Sequence, residues 1–356
     1  MYREPSPQMT IEDFILPFAG KLAADNRWVK LVAIIPWDEI EKQYAFMFPS
    51  DQGHVAKPVR MALGALIIQA RCGFTDRETI QQIIENPYLQ YFIGLREYQL
   101  TRPFTPADMV KFRKRFNAKR LADINEKIMQ AEKSKQELEI EQDDHNDNDS
   151  RGSGNLEKKS EISEEEAIEL KQMPDRIKVR PIVRGKAGVA VEFGAKVAIS
   201  LENGYSRIEK LSWDSFNEAG TFEETVERYR ERHGYYPEAV LADRIYRNRD
   251  NLLYCKKHCI RLRGPRLGRP PASSSLQKAE KRLERLDVKQ RNAVEGKFGE
   301  GKRKYSLARV VARLKETAEF MIAMQFLVMN LEYKLRVLFL QIWIRLLSQR
   351  FETVSC

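Results

Sequence analysis

The sequence predicts two folds in series, an α-helical N-terminal block and an α/β block behind it. Three observations predict them. Up to residue 131, apolar residues recur at helical spacing between strong capping residues. From residue 176, short β-branched runs alternate with helix-like runs. Between the blocks, residues 132–175 turn acidic and polar and contain no aromatic residue. Such a stretch cannot bury enough apolar surface to offset its chain entropy, so a disordered linker is expected there.

The helical block starts with PVRMALGALIIQARCGF, an apolar-rich helix that ends near Gly73. In the next run Thr75 and Glu78 form a capping box, and Pro87 stops the helix. A third helix opens on Thr105 at the N-cap, Pro106 at the first turn and Asp108 at the third position. Phe112 and Phe116 lie one turn apart on it, flanked by Lys111, Arg113, Lys114, Arg115, Lys119 and Arg120. Short helices joined by tight turns, followed by a basic helix, suit a helix-turn-helix-like DNA module, in which Lys and Arg neutralise phosphates. A helical bundle with a solvated basic face fits the same residues.

In the α/β block, VAVEFGAKVAISL reads as a strand, ENGY as a turn and SRIEKLSW as its hairpin partner. The run TFEETVERYRERHG reads as a helix with Thr221 and Glu224 as its capping box and Gly234 as its stop. PEAVLADR is a short buried strand, NRDNLLYCKKHC a helix, and IRLRGPRLGRPP a basic loop that includes Arg261 and Arg263. The residues from Leu276 read as a helix followed by a turn, and a long apolar helix begins near Leu307. Its end, residues 336–356, is set apart as an apolar C-terminal helix or tail. It carries too many charges for a membrane span.

Lys+Arg number 61 against 51 Asp+Glu, a net charge of +10. That excess, with a pI near 9.3, makes a polyanion the first partner to consider. Four cysteines in 356 residues are no disulfide framework, and no apolar segment follows the N-terminus, so a reducing cytoplasmic location is expected. Cys255, His258 and Cys259 cluster, but zinc needs four ligands and no second cluster is visible.

Two acidic positions stand out. Asp243 follows the apolar run AVLA, at a strand end of the kind that lines ligand crevices in α/β sheets. Standing alone it reads rather as a helix N-cap or loop aspartate. Glu295 has Arg291 four residues before it and Lys302 seven after. On an unbroken helix all three share a face, whereas a helix ended by Gly299 and Gly301 would leave Lys302 on a loop. Carboxylates on a sheet and an adjacent helix can hold two Mg²⁺ ions for phosphodiester chemistry.

These residues resemble bacterial insertion-sequence transposases of the DDE class, in the branch with a Y-R-E-K signature. MALGALIIQARCGFTDRETIQQIIENPYLQYFIGL with FTPADMVKFRKRF resembles the InsH-type N-terminal domain, and the blocks around LADRIYRNR and RNAVEGKFGEGKRKYSL resemble the catalytic domain. The resemblance implies an RNase H-like domain over residues 176–335, following a DNA-binding domain over 1–131. It implies Asp243 and Glu295 as catalytic and metal-binding residues, with Arg291 and Lys302 as the signature Arg and Lys. It further implies Mg²⁺ or Mn²⁺, double-stranded DNA with terminal inverted repeats as partner, a homodimer, no membrane, and a place near the nucleoid. Two departures stand out. Val288 occupies the signature Tyr position, and the first Asp of the triad, with its strand, is not found; Asp175 follows ELKQMP rather than a buried strand. An internal deletion would account for both the missing strand and the missing Asp, and would leave a copy defective in cleavage. The alternative is a non-catalytic DNA-binding or dimerising fragment that inhibits full-length copies.

Overall fold

The computed structural model describes residues 10–16, 20–48, 55–143, 181–186, 189–263 and 276–354. The N-terminal part is helical: α1 (Arg27–Ile34), α2 (Trp37–Ala45), α3 (Val59–Cys72), α4 (Asp76–Glu85), α5 (Pro87–Phe92), α6 (Pro106–Arg115) and α7 (Ala118–Asp143). α3 is the central helix, because Val59 through Ile68 are buried without a break. Its early cation, Arg60, turns inward and donates from Nε to the Phe92 carbonyl (3.0 Å) and from Nη2 to the Tyr91 carbonyl (2.6 Å). Both carbonyls lie in the last turn of α5, where helical partners run out, and the buried guanidinium bonds to them. Both predicted capping boxes form, at Thr75–Glu78 and at Thr105–Asp108. Gly73 ends α3 with φ +73°, a conformation that only glycine adopts without strain.

α7 continues to Asp143, so the first part of the stretch expected to be a disordered linker is helical. Residues 144–175 lie outside the described residues. Beyond them come β1 (Pro181–Lys186) and β2 (Val189–Phe193), antiparallel, and then the hairpin β3 (Lys196–Glu202) and β4 (Tyr205–Ser212). The single strand read as VAVEFGAKVAISL is thus two strands, divided at Gly194. The predicted turn holds: Asn203 and Gly204 both take positive φ, 51° and 84°, as a two-residue hairpin loop of the Asn-Gly type requires.

α8 (Phe222–His233), β5 (Ala239–Leu241), α9 (Arg249–Lys257), β6 (Arg261–Arg263), α10 (Leu276–Lys304) and α11 (Lys315–Val354) complete the chain. The expected Thr221 capping box does not form. Thr221 closes a preceding 3-10 turn, its hydroxyl donates to the Glu218 carbonyl, and Glu224 pairs with Arg228 instead. β5 and β6 are parallel. Among the described residues the strands form three separate two-stranded ladders.

Two hydrophobic cores result. The smaller one lies under α8 and α9 and is centred on Phe222, Val226, Cys255 and Ile260. The larger joins the N-terminal helices, the β3–β4 hairpin and α11. α11 begins at Lys315, eight residues later than the sequence indicates, and packs on α1, α3, α6 and α7. It runs unbroken through the position where the sequence sets off residues 336–356. The last helix of the chain therefore completes the core of the first block. Among the described residues, no helix is long and apolar enough to cross a membrane.

Candidate functional site

The strand β5 delivers Asp243. Its ladder with β6 extends through Ala242, whose N–H donates to the Arg263 carbonyl (3.0 Å), and the chain then turns away. Asp243 caps that turn: Oδ1 accepts from the Arg244 N–H at 2.7 Å. The N-cap reading of this residue is therefore correct as local geometry. The carboxylate does a second thing as well. Arg291 Nη1 donates to the same oxygen at 3.0 Å, across 48 residues of sequence. Asp243 remains 70% exposed, with the half-buried Arg291 beside it.

α10 supplies the rest. It passes through Gly299 and Gly301 without ending, so Arg291, Glu295 and Lys302 lie along one helical face. The alternative of a loop at Lys302 is excluded by the helix running to Lys304. Gly301 is small for a packing reason: a Cβ there would lie 2.9 Å from Leu307 Cδ2 and 3.1 Å from the Met329 sulfur on α11. Glu295 and Lys302 are exposed. On the buried side, Lys297 donates from Nζ to the Gly204 carbonyl at 3.1 Å and lies over the Tyr333 ring. Burial pushes its ammonium below the ordinary lysine range. No local signal marks Lys297, because a lysine on a polar helix reads as solvated.

Transposase DDE domains as a class use divalent metal ions. The residues present here do not fit one. Among the described residues, no group of three His, Cys, Asp or Glu side chains is placed to hold a metal. Of the two candidate carboxylates, Asp243 already accepts an arginine and a backbone N–H on one oxygen. A guanidinium at that position repels the cation a metal site must attract. Asp175 lies outside the described residues.

The basic helix α6 divides in two. Lys111 and Lys114 face solvent. Arg113 does not: its guanidinium makes a bidentate pair with Asp76 (2.7 and 2.6 Å) and reaches Gln69. Burial alone would raise the Asp76 carboxyl, but the hydrogen bonds from Arg113 and Gln69 outweigh it and hold it below the usual range. Arg115 donates to the Tyr44 hydroxyl (2.8 Å) and lies over the Phe48 ring. Two of the four proposed phosphate contacts on α6 thus serve packing between helices. The loop reading of Arg261 and Arg263 also changes. Both lie on β6, and Arg261 pairs with Glu238 at 3.4 Å. Arg266 and Arg269 lie outside the described residues. Cys255 is buried and the His258 ring lies tilted against Tyr236 and Tyr254, so these two serve packing, while Cys259 is exposed.

Residues 240–332, which hold Asp243, Arg291, Glu295 and Lys302, match the family described as "Transposase DDE domain". Residues 17–115 match "Transposase domain (DUF772)". A Rhizobium meliloti protein, "Uncharacterized protein ORF8 in nfe locus", is 26% identical over 96 residues, 27% of this chain and 46% of that protein. The chain spans about half the length of this curated relative. No solved structure matches. The helical block is thus similar to a transposase domain, and the α/β block behind it to a transposase DDE domain. Together these similarities support a DDE-type insertion-sequence transposase.

Proposed function

We propose that this chain descends from an enzyme that cleaves and joins DNA at terminal inverted repeats, and that it binds double-stranded DNA but does not cut it. The carrying observation is the Asp243–Arg291 ion pair, with Glu295 exposed and no third carboxylate beside them among the described residues. Mg²⁺ demands near-ideal octahedral ligation, and two carboxylates, one of them bonded to arginine, supply it poorly. An RNase H-like domain that has lost its first strand and the Asp on it accounts for this arrangement. DNA binding rests on the exposed lysines of α6 and on the net positive charge. A cytoplasmic protein acting at the nucleoid, as a homodimer, fits this role.

The test is a cleavage assay on a supercoiled plasmid that carries terminal repeats, with Mg²⁺ or Mn²⁺. Intact plasmid at enzyme excess supports the reading. Nicking or strand joining that disappears in Glu295→Gln overturns it.

A second reading is an inhibitor of full-length copies through shared DNA sites or mixed dimers. The end of α11 favours it, because Leu340, Trp343 and Ile344 are more than half exposed. Reduced cleavage by an active copy when this chain is added in equal amount would support that reading.

A further inference from the structure

The segment that joins α10 to α11 concentrates positive charge. Between Glu300 and Glu316 there is no acidic residue, and six cations occur: Lys302, Arg303, Lys304, Arg309, Arg313 and Lys315. All six are exposed. Helix electrostatics explains the first three, because cations in the last turn of a helix complement its negative end. It does not explain the others. Arg309, Arg313 and Lys315 approach or enter the start of α11, where the helix end is itself partly positive. None of them, nor Arg303, has an ion-pair partner among the described residues.

The segment is also held in place. The N–H groups of Tyr305 and Leu307 both donate to the Gly301 carbonyl at 3.1 Å. Tyr305 is buried, and Leu307 and Val310 pack against the large core. The apolar residues anchor the backbone while the cations project from it. Lys302 links this patch to Arg291 and Glu295 along α10.

We infer that Arg303, Arg309, Arg313 and Lys315 form a second phosphate-contacting face for double-stranded DNA, separate from the α6 lysines and adjoining the degenerate DDE site. This rests on the reading that the chain binds DNA. Phosphate contacts of this kind fix the position of the duplex and carry no sequence information directly.

The experiment measures binding of the full chain to a fluorescent 30-base-pair duplex across a salt titration. Three proteins are compared: wild type, Arg309→Gln/Arg313→Gln/Lys315→Gln, and a control with the same charge loss on α9, Arg249→Gln/Lys256→Gln/Lys257→Gln. If three phosphate contacts are lost, the slope of log affinity against log salt falls by up to about 2.7 in the first variant. The control keeps nearly the wild-type slope. Equal slopes in the two variants mean that only total charge matters, and overturn the proposal. So does a first variant that binds duplex as wild type does but loses affinity for polyglutamate, because the partner is then an acidic polypeptide. A wild-type chain that fails to bind duplex at any salt overturns the DNA-binding reading itself.

Discussion

Asn330 on α11 donates from Nδ2 to Asn125 Oδ1 on α7 at 2.9 Å, inside the larger core. The same side chain pairs with β4: its Oδ1 accepts from the Ser206 N–H (2.9 Å) and hydroxyl (3.0 Å), and its Nδ2 also donates to the Ser206 carbonyl (2.8 Å). One fully buried amide therefore ties a helix of the N-terminal block, a strand of the α/β block and the last helix together.

Replacing that amide by an apolar group of similar size strands its partners. In Asn330→Leu, the Ser206 N–H and the Asn125 side chain lose a hydrogen-bond partner where water does not reach. Each unsatisfied buried group costs about 1–3 kcal/mol, so a total near 3 kcal/mol is expected. Urea denaturation checks this, through a lower midpoint at unchanged slope. A loss below ~1 kcal/mol would mean that the network is not closed in solution.

The turn Asn203-Gly204 leads to a second expectation. Gly204 has φ +84°, and a Cβ there would overlap the Tyr333 ring on α11. Gly204→Ala combines backbone strain with displacement of that ring, and its carbonyl also holds Lys297. We expect a loss of about 2 kcal/mol. Asn203→Gly at the neighbouring position, which also has positive φ, should change stability by less than ~1 kcal/mol. Thermal unfolding of the two variants side by side separates the effects.

Much of this was readable from local chemistry. Thr75–Glu78, Thr105–Asp108, Gly73, Gly234 and the Asn-Gly turn are short-range signals, and each fixes a boundary seen in the structure. The errors arise where distant residues decide. Arg113 and Arg115 look like a phosphate-binding row until Asp76 and Tyr44, far away in sequence, reach them. Thr221 has the right spacing for a capping box, but a 3-10 turn uses its hydroxyl first. At the candidate site, the shared face of Arg291, Glu295 and Lys302 followed from helical period, whereas the pairing of Arg291 with Asp243 is tertiary. The role of α11 as a lid on the first block's core could not be seen either, because periodicity reports an apolar face and not what covers it.

The split on α6 predicts opposite phenotypes from neighbouring residues. Arg113→Ala removes a bidentate pair that links α6 to α4, and should cost about 1–2 kcal/mol of stability by leaving the part-exposed Asp76 with Gln69 alone. Lys111→Gln/Lys114→Gln should leave the melting temperature within a degree or two and weaken duplex binding instead. A melting scan and a gel shift on both variants test the assignment, and reversed outcomes would sink it.

Glu41 on α2 gives a pH dependence with a definite sign. One carboxylate oxygen is buried with no hydrogen-bond partner among the described residues. Burial pushes its carboxyl from 4.5 up to about 7. Below pH 4.5 the group is protonated both folded and unfolded, and it costs nothing. As pH rises from 4.5 to 7, the unfolded chain ionises while the folded one keeps its proton, so stability falls across that window and levels off above it. Glu41→Gln removes the titration. The variant should be more stable than wild type at pH 8, and the gap should shrink steadily as pH falls to 4.5. Melting temperatures of both proteins at four pH values test this, and a gap that stays constant with pH would rule out Glu41 as its source.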